Sequence, residues 1–396
     1  MTIDREALVA FTQELVRIES VNDPERGRSE APAAALVERQ MRAFGWEPAV
    51  EEVAPGRPNV VAVLEGGSPG PTLMFEGHTD VVTEGARELW SIDPFGGEIR
   101  DGKLYGRGAA DMKAGVAAML FAADAVRRAG SFPGRIVVAA LADEEGMMLG
   151  AKQFCSGETA ARVDAAIVCE PEGWEVCTAQ KGALRLRLDA RGKMAHGAMP
   201  QHGINPAPAL AGFVDAVRAH ERRLQAEHGD HPTLGAVYLT PTVIQAGDAL
   251  QLNVIPERAW LAVDVRTTPS VDHADLVAAL RADAARIAAD TGVELELAIV
   301  DDRPSTETAA DEAVVRAVVD AHRERLGAEP ALGGVPGATD GTILWRDLGI
   351  PVVVYGPGGK WIAHQVDEYV EVDEIGTYAE VYADAALRYL RHGNGA

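Results

Sequence analysis

Short apolar runs along the chain break off abruptly into polar residues. Residues 71–75 (PTLMF) lead into Glu76-Gly77-His78-Thr79-Asp80, and residues 136–142 (IVVAALA) into Asp143-Glu144-Glu145. Residues 165–169 (AAIVC) lead into Glu170, and residues 351–355 (PVVVY) into Gly356-Pro357-Gly358, with His364 soon after. Runs this short, rich in Val and Ile and without alternation, predict strands covered on both faces, as in a mostly parallel sheet. Helical periodicity fills the intervals, at 114–128 and 309–325. Strands alternating with helices predict an α/β layered fold. In open sheets of that kind ligands bind beyond the carboxyl ends of the strands. His78, Glu144, Glu145 and Glu170 are therefore expected along one edge, although they lie far apart in sequence.

The pattern changes in the middle of the chain. Residues 184–190 (LRLRLDA) alternate apolar and polar, as in a strand with one face open to water. A helix is predicted over about 206–223, strands over 236–244 and 259–265, a helix over 272–290, and a further alternating strand over 293–299. That order, β-α-β-β-α-β, is the ferredoxin-like split βαβ. The expected organisation is a catalytic domain in two parts, 1–180 and 298–396, with a lid or dimerisation domain over 181–297 inserted between them.

Composition narrows the function classes. A chain of 396 residues is long enough for two domains. Its 37 basic and 60 acidic residues give a net charge of −23, which leaves no electrostatic footprint for nucleic acid or an anionic membrane surface. Three cysteines do not make a disulfide framework. The opening residues, Met1-Thr2-Ile3-Asp4-Arg5, lack the basic-then-apolar pattern of a secretory signal, and no uncharged apolar run reaches membrane-spanning length. A cytoplasmic location is expected.

The polar residues at the strand ends carry the candidate chemistry. His78 offers an imidazole for a zinc-type ion, and Asp80 a carboxylate that fixes its tautomer. Asp111 sits among glycines at the mouth of a helix, in 106–115 (GRGAADMKAG). Paired acids such as Glu144 and Glu145 beside a buried strand are costly unless cations compensate them. One can then ligate while the other acts as general base. Each residue alone also has a plainer reading: a surface turn for His78, a helix cap for Asp111, an exposed acidic turn for 143–145. Together, His78, Asp111, Glu145, Glu170 and His364 make five N/O donors with Glu144 left over. That inventory suits two zinc-like ions sharing Asp111.

These residues, in this order, resemble the acetylornithine deacetylase and succinyl-diaminopimelate desuccinylase family, with its aminoacylase and glutamate carboxypeptidase relatives. The resemblance runs from residues 15–21 (LVRIESV) to His364. It implies one metal on His78, Asp111 and Glu170 and another on Asp111, Glu145 and His364. It also implies Asp80 as the partner of His78, Glu144 as the base, and a cis bond between Asp111 and Met112. In 192–207 (GKMAHGAMPQHGINPA), His196 resembles a lid residue that reaches the partner subunit's active site to stabilise the oxyanion, which implies a homodimer. Asn253 and Arg266 resemble binders of the substrate carboxylate, and a guanidinium fork suits that task. Residues 337–341 (GATDG) resemble a Gly-Thr-Ser-Asp loop near the substrate, with Thr339 as its contact and Ala338 and Thr339 departing from the pattern. Glu at position 170 accompanies deacylases and carboxypeptidases in the family, whereas Asp accompanies aminopeptidases. The implied enzyme cleaves the amide of a small N-acyl amino acid with two zinc ions, replaceable by cobalt or manganese. The alternatives are a carboxypeptidase or dipeptidase, a hydrolase of another C–N bond such as that of an aromatic amine, and a catalytically silent binding protein.

Overall fold

The structure is a computed structural model and describes residues 1–392. The expected end of the third segment, 393–396, lies outside the described residues. The chain divides into two compact units. The first comprises Met1–Ala179, Glu307–Val335 and the chain from Thr339 onward; the second comprises Gln180–Thr306 and Pro336–Ala338.

The first unit is built on a mostly parallel sheet. Its strands run, in spatial order, Ala49–Ala54, Arg57–Glu65, Pro133–Leu141, Ser68–His78, Ala165–Val168, Val352–Val354 and Val176–Gln180. The four from Pro133–Leu141 to Val352–Val354 are mutually parallel. Their register sets His78 beside Leu141, Glu76 beside Val168, and Val168 beside Val354, so the carboxyl ends finish together. Leu73, Met74 and Phe75 are all fully buried, so both faces of the strand are covered and no alternation is possible. Helices Arg5–Val16, Ala31–Ala43, Ala114–Ala129, Ala313–Leu326 and Val372–His392 contribute to one apolar core with the strands. Helices Leu149–Cys155 and Asp340–Leu348 pack on each other outside that core.

The second unit is a four-stranded antiparallel sheet in the order Tyr238–Ala246, Arg258–Thr267, Gly182–Arg191, Glu294–Arg303. Helices Ala207–His228 and His273–Thr291 share its core. With the strands numbered along the chain this is the 2-3-1-4 order of the ferredoxin-like fold. Burial alternates along Gly182–Arg191: Leu184, Leu186 and Leu188 face the helices, while Arg185, Arg187 and Asp189 face outward. Residue 297, the expected limit of the insertion, falls inside the strand Glu294–Arg303. That strand pairs with Gly182–Arg191 as far as Arg303, which carries the unit on to Thr306. A separate two-stranded sheet, Ala195–His196 with Val254–Ile255, adds to the predicted elements.

Candidate metal centre

Each ligand-bearing residue stands where a strand stops. His78 is the last residue of Ser68–His78. Asp111 lies in an irregular turn, Ala109–Lys113, that precedes the helix Ala114–Ala129; its φ and ψ are not helical and its bond to Met112 is cis. The turn is possible because Gly108 adopts φ 81°, where a Cβ would stand 2.4 Å from Val81. Glu144 and Glu145 follow Pro133–Leu141, Glu170 follows Ala165–Val168, and His364 lies in the loop after Val352–Val354.

These five donors converge. His78 Nε2 is 3.1 Å from Asp111 Oδ1 and 3.3 Å from Glu170 Oε1. His364 Nε2 is 3.2 Å from Asp111 Oδ2 and 2.8 Å from Glu145 Oε1. The two oxygens of Asp111 thus face two different imidazoles, the arrangement that a bridging carboxylate requires. Two sets of donor atoms lie within 4.8 Å of one another: His78, Asp111 and Glu145, and His78, Glu144 and Glu170. Distance alone therefore does not separate Glu144 from the ligand set.

The electrostatics suit cations. Burial, together with the charge on Asp111, pushes the Glu170 carboxyl up to about 8. Burial also drives Glu144 well above the usual carboxylate range, aided by Glu170 and Glu145. Burial works against a charged His78, but Glu170, Asp111 and Asp80 outweigh it and hold the imidazole well above its ordinary value. His364 rises to about 10 through its contacts with Asp111 and Glu145. Anions crowded out of water in this way repel one another, and only bound protons or metal ions relieve them. The donor set, two imidazoles and several carboxylate oxygens, is that of zinc-type ions.

Asp80 touches both His78 and the acidic pair. The nearest acceptor for His78 Nδ1 is the backbone carbonyl of Asp80, at 2.9 Å, while the carboxylate lies 3.5 Å away. The carboxylate instead accepts the N–H groups of Glu144 (3.1 Å) and Glu145 (3.0 Å). It ties the two acidic residues to the histidine strand, and it is held below its ordinary value by His78 and these N–H groups against the effect of burial.

Sequence reasoning missed the frame around 142–150. Asn59 clamps both ends of this loop: its side chain accepts from Ala142 N (3.1 Å) and donates to Gly150 O (2.9 Å). Asp143, at φ 70°, accepts the N–H groups of Met147 and Leu149 and pairs with Arg57, which also pairs with Glu30. Glu76, two residues before His78 and on the same side of its strand, is held well above its ordinary value by burial and then by Asp340. The detectable signal was a set of charged and amide residues (Arg57, Asn59, Glu76) inside or beside strands otherwise fit only for burial.

The remaining expected residues are placed as follows. Thr339 is buried, and its Oγ1 accepts from Gly341 N (3.1 Å), capping the helix Asp340–Leu348. In the second unit His196 pairs with Val254 across the two-stranded sheet, and Gly197 N donates to Asn253 O, which brings His196 and Asn253 together. Arg266 lies at the far end of Arg258–Thr267, its guanidinium bound to Asp264. The eight residue steps from Arg258 to Arg266 alone span about 26 Å of strand. Within one chain Asn253 and Arg266 therefore stand towards opposite ends of that strand.

The sequence matches the model of the peptidase family M20/M25/M40 over residues 74–388. It is 35% identical over 394 residues to a succinyl-diaminopimelate desuccinylase of Cereibacter sphaeroides, covering 97% of this chain and 98% of that one. It is 32% identical to the Dinoroseobacter shibae protein of the same name, covering 96% and 99%. Among solved structures, an M20 family metallo-carboxypeptidase from Sulfolobus solfataricus superimposes with a TM-score of 0.79 at 18% identity, over 97% of this chain and 99% of that one. A dinuclear metal-binding M20 peptidase from Bacillus subtilis does so at 0.72 and 18%, over 98% of each. At such identities the likeness is one of fold.

Proposed function

The chain belongs to the peptidase family M20/M25/M40, and from that premise we propose that it is a metal-dependent hydrolase of the amide bond in a small N-acyl amino acid. An N-succinyl diamino acid is the leading substrate, because the desuccinylase relatives align over nearly the whole of both chains. The observation that carries the reading is Asp111, whose two carboxylate oxygens face His78 and His364 separately, with Glu170 and Glu145 completing the two sides.

His78, Asp111 and Glu170 would hold one divalent ion, and Asp111, Glu145 and His364 the other. Zinc is the first choice, and cobalt or manganese suits the same donors. When bound, the ions supply Lewis acidity to the scissile carbonyl and to the attacking water. Glu144 is left to move the proton. Its buried carboxyl, held well above the usual range, takes the proton from water and delivers it to the departing amine. Asp80 keeps Glu144 and Glu145 in register with His78 through their N–H groups.

His196 supports the tetrahedral oxyanion from a partner subunit, and Asn253 comes from the same partner. Arg266 of the other chain grips the substrate carboxylate, so the two residues reach one substrate only across a homodimer. No helix among the described residues is long and apolar enough to cross a membrane, and a cytoplasmic enzyme without nucleic-acid partners is the reading consistent with the acidic surface.

The test is a hydrolysis panel on zinc- or cobalt-loaded protein with a chelated control: N-succinyl, N-acetyl and N-formyl amino acids, dipeptides, and aromatic amides. Metal-dependent cleavage of the N-succinyl class is expected. Cleavage confined to dipeptides or aromatic amides would move the assignment to those bonds.

A further inference from the structure

Beside the metal centre lies a buried ion pair that the chemistry described so far does not use. Glu368 is fully buried and Arg107 is 3% exposed, and their side chains bond to each other. The other Glu368 oxygen accepts the N–H groups of Ala110 (3.0 Å) and of Asp111 itself (3.1 Å). The second guanidinium amine of Arg107 donates to the backbone carbonyl of His364 at 3.3 Å. The pair thus grips the main chain of two metal-site residues that are 253 positions apart, Asp111 by its N–H and His364 by its C=O. His364 stands at φ 65°, a conformation that needs such support in a residue with a Cβ.

The surroundings keep this grip rigid. Arg107 lies over the Trp90 ring, 5.2 Å from its centre, and its own N–H donates to Pro94 O at 2.7 Å. Gly106 N donates to Glu368 O at 2.9 Å. Immediately outward, strand Tyr369–Glu371 pairs with Lys103–Tyr105, so the two gripped segments are also laced together by the backbone. No comparable contact from this pair reaches His78 or Glu170.

We propose that Arg107 and Glu368 are positioning residues that hold Asp111 and His364 at the separation needed for the second metal ion, the one shared by Asp111, Glu145 and His364. The proposal rests on the ligand assignment made above. Supporting contacts of this kind typically change metal affinity by about 10–100-fold. A buried pair broken on one side leaves an uncompensated charge, so one variant keeps the shape (Glu368→Gln) and the other keeps the charge (Arg107→Lys).

Metal-free wild-type protein, Glu368→Gln and Arg107→Lys are titrated with Co²⁺, read by calorimetry and by the visible cobalt spectrum, with thermal unfolding measured alongside. Wild type should bind two ions. Both variants should bind the first ion within about threefold of wild type and the second about 10–100-fold more weakly. Their kcat should fall at limiting metal and recover at high Co²⁺, with KM within about threefold. Two ions bound as in wild type, with only a lower unfolding temperature, would show the pair to be structural and overturn the proposal. Loss of both ions together, or unfolding of both variants, would overturn it equally. If wild type itself fails to bind two ions, the ligand assignment fails instead.

Discussion

A carboxyl group shut away from water, with other carboxylates around it, keeps its proton unless a cation is near. Glu144 is such a group: it is 8% exposed, with Glu170 and Glu145 as neighbours. Under the proposed function the same residue serves both proton transfers of amide hydrolysis, because its charge state depends on what binds beside it. Glu144→Ala is expected to retain bound metal and fold while turnover falls by about 10²–10⁴-fold. Metal analysis and steady-state kinetics on one preparation check this, and near-wild-type turnover would remove Glu144 from the mechanism. Glu84 shows the opposite case. Burial favours its neutral form, but Arg28, bonded to both of its oxygens, and Arg87 hold it down to about 2 against an ordinary 4.5. A depressed carboxyl contributes stability that is fully present above pH 4.5 and is lost as the pH falls towards 2. The stability gap between wild type and Glu84→Gln should therefore be constant near neutrality and close between these values. A gap unchanged at pH 2.5 would show that the pairing adds nothing.

At the level of elements, the loop 142–150 decides whether the acidic pair stays in place. Asn59, itself buried, bonds to both ends of it, to Ala142 and to Gly150. Asn59→Ala leaves a buried N–H and a buried carbonyl unpaired and should cost about 1–3 kcal/mol each way of accounting for one lost partner. Denaturant unfolding measures this, and a change below ~0.5 kcal/mol would mean that the loop is held by Asp143 and Arg57 alone. The strands that carry His78, Glu145 and Glu170 were legible because runs covered on both faces must be apolar and must end where the chain meets polar surroundings. The alternation of 184–190 was legible for the converse reason, one open face. The two-stranded sheet of Ala195–His196 with Val254–Ile255 left no periodic trace, since two-residue strands are too short to show one. The unit runs past the expected limit at 297 because a register shift between Ile299 and Asp301 breaks the alternation, and an end in Asp301, Asp302 and Arg303 reads as a loop.

For the whole molecule, the sequence disclosed which residues meet at the first unit's sheet edge but not which residues of the second unit act together. Asn253 and Arg266 looked like a pair in the linear motif order, yet most of the ten-residue strand Arg258–Thr267 stands between them. Only the pairing of strands reveals that separation. If a substrate needs both, activity depends on two chains. Protein carrying His196→Ala and protein carrying Glu144→Ala should each be inactive alone. Mixed and re-equilibrated, they should regain up to about a quarter of wild-type turnover through dimers that hold one intact site, by the pairing statistics of a two-fold assembly. Sedimentation showing a fully active monomer, or mixing without recovery, would place His196 outside the partner's site.

The most direct test of the two-ion centre is anomalous diffraction at the zinc edge from crystals of the zinc-loaded protein. Two peaks per chain are expected about 3.5–4 Å apart, with Asp111 between them, His78 and Glu170 on one, Glu145 and His364 on the other, and Glu144 bound to neither. A single peak held by His78, Glu144 and Glu170 would contradict it, because the proposed base would then be a ligand and Asp111 would bridge nothing.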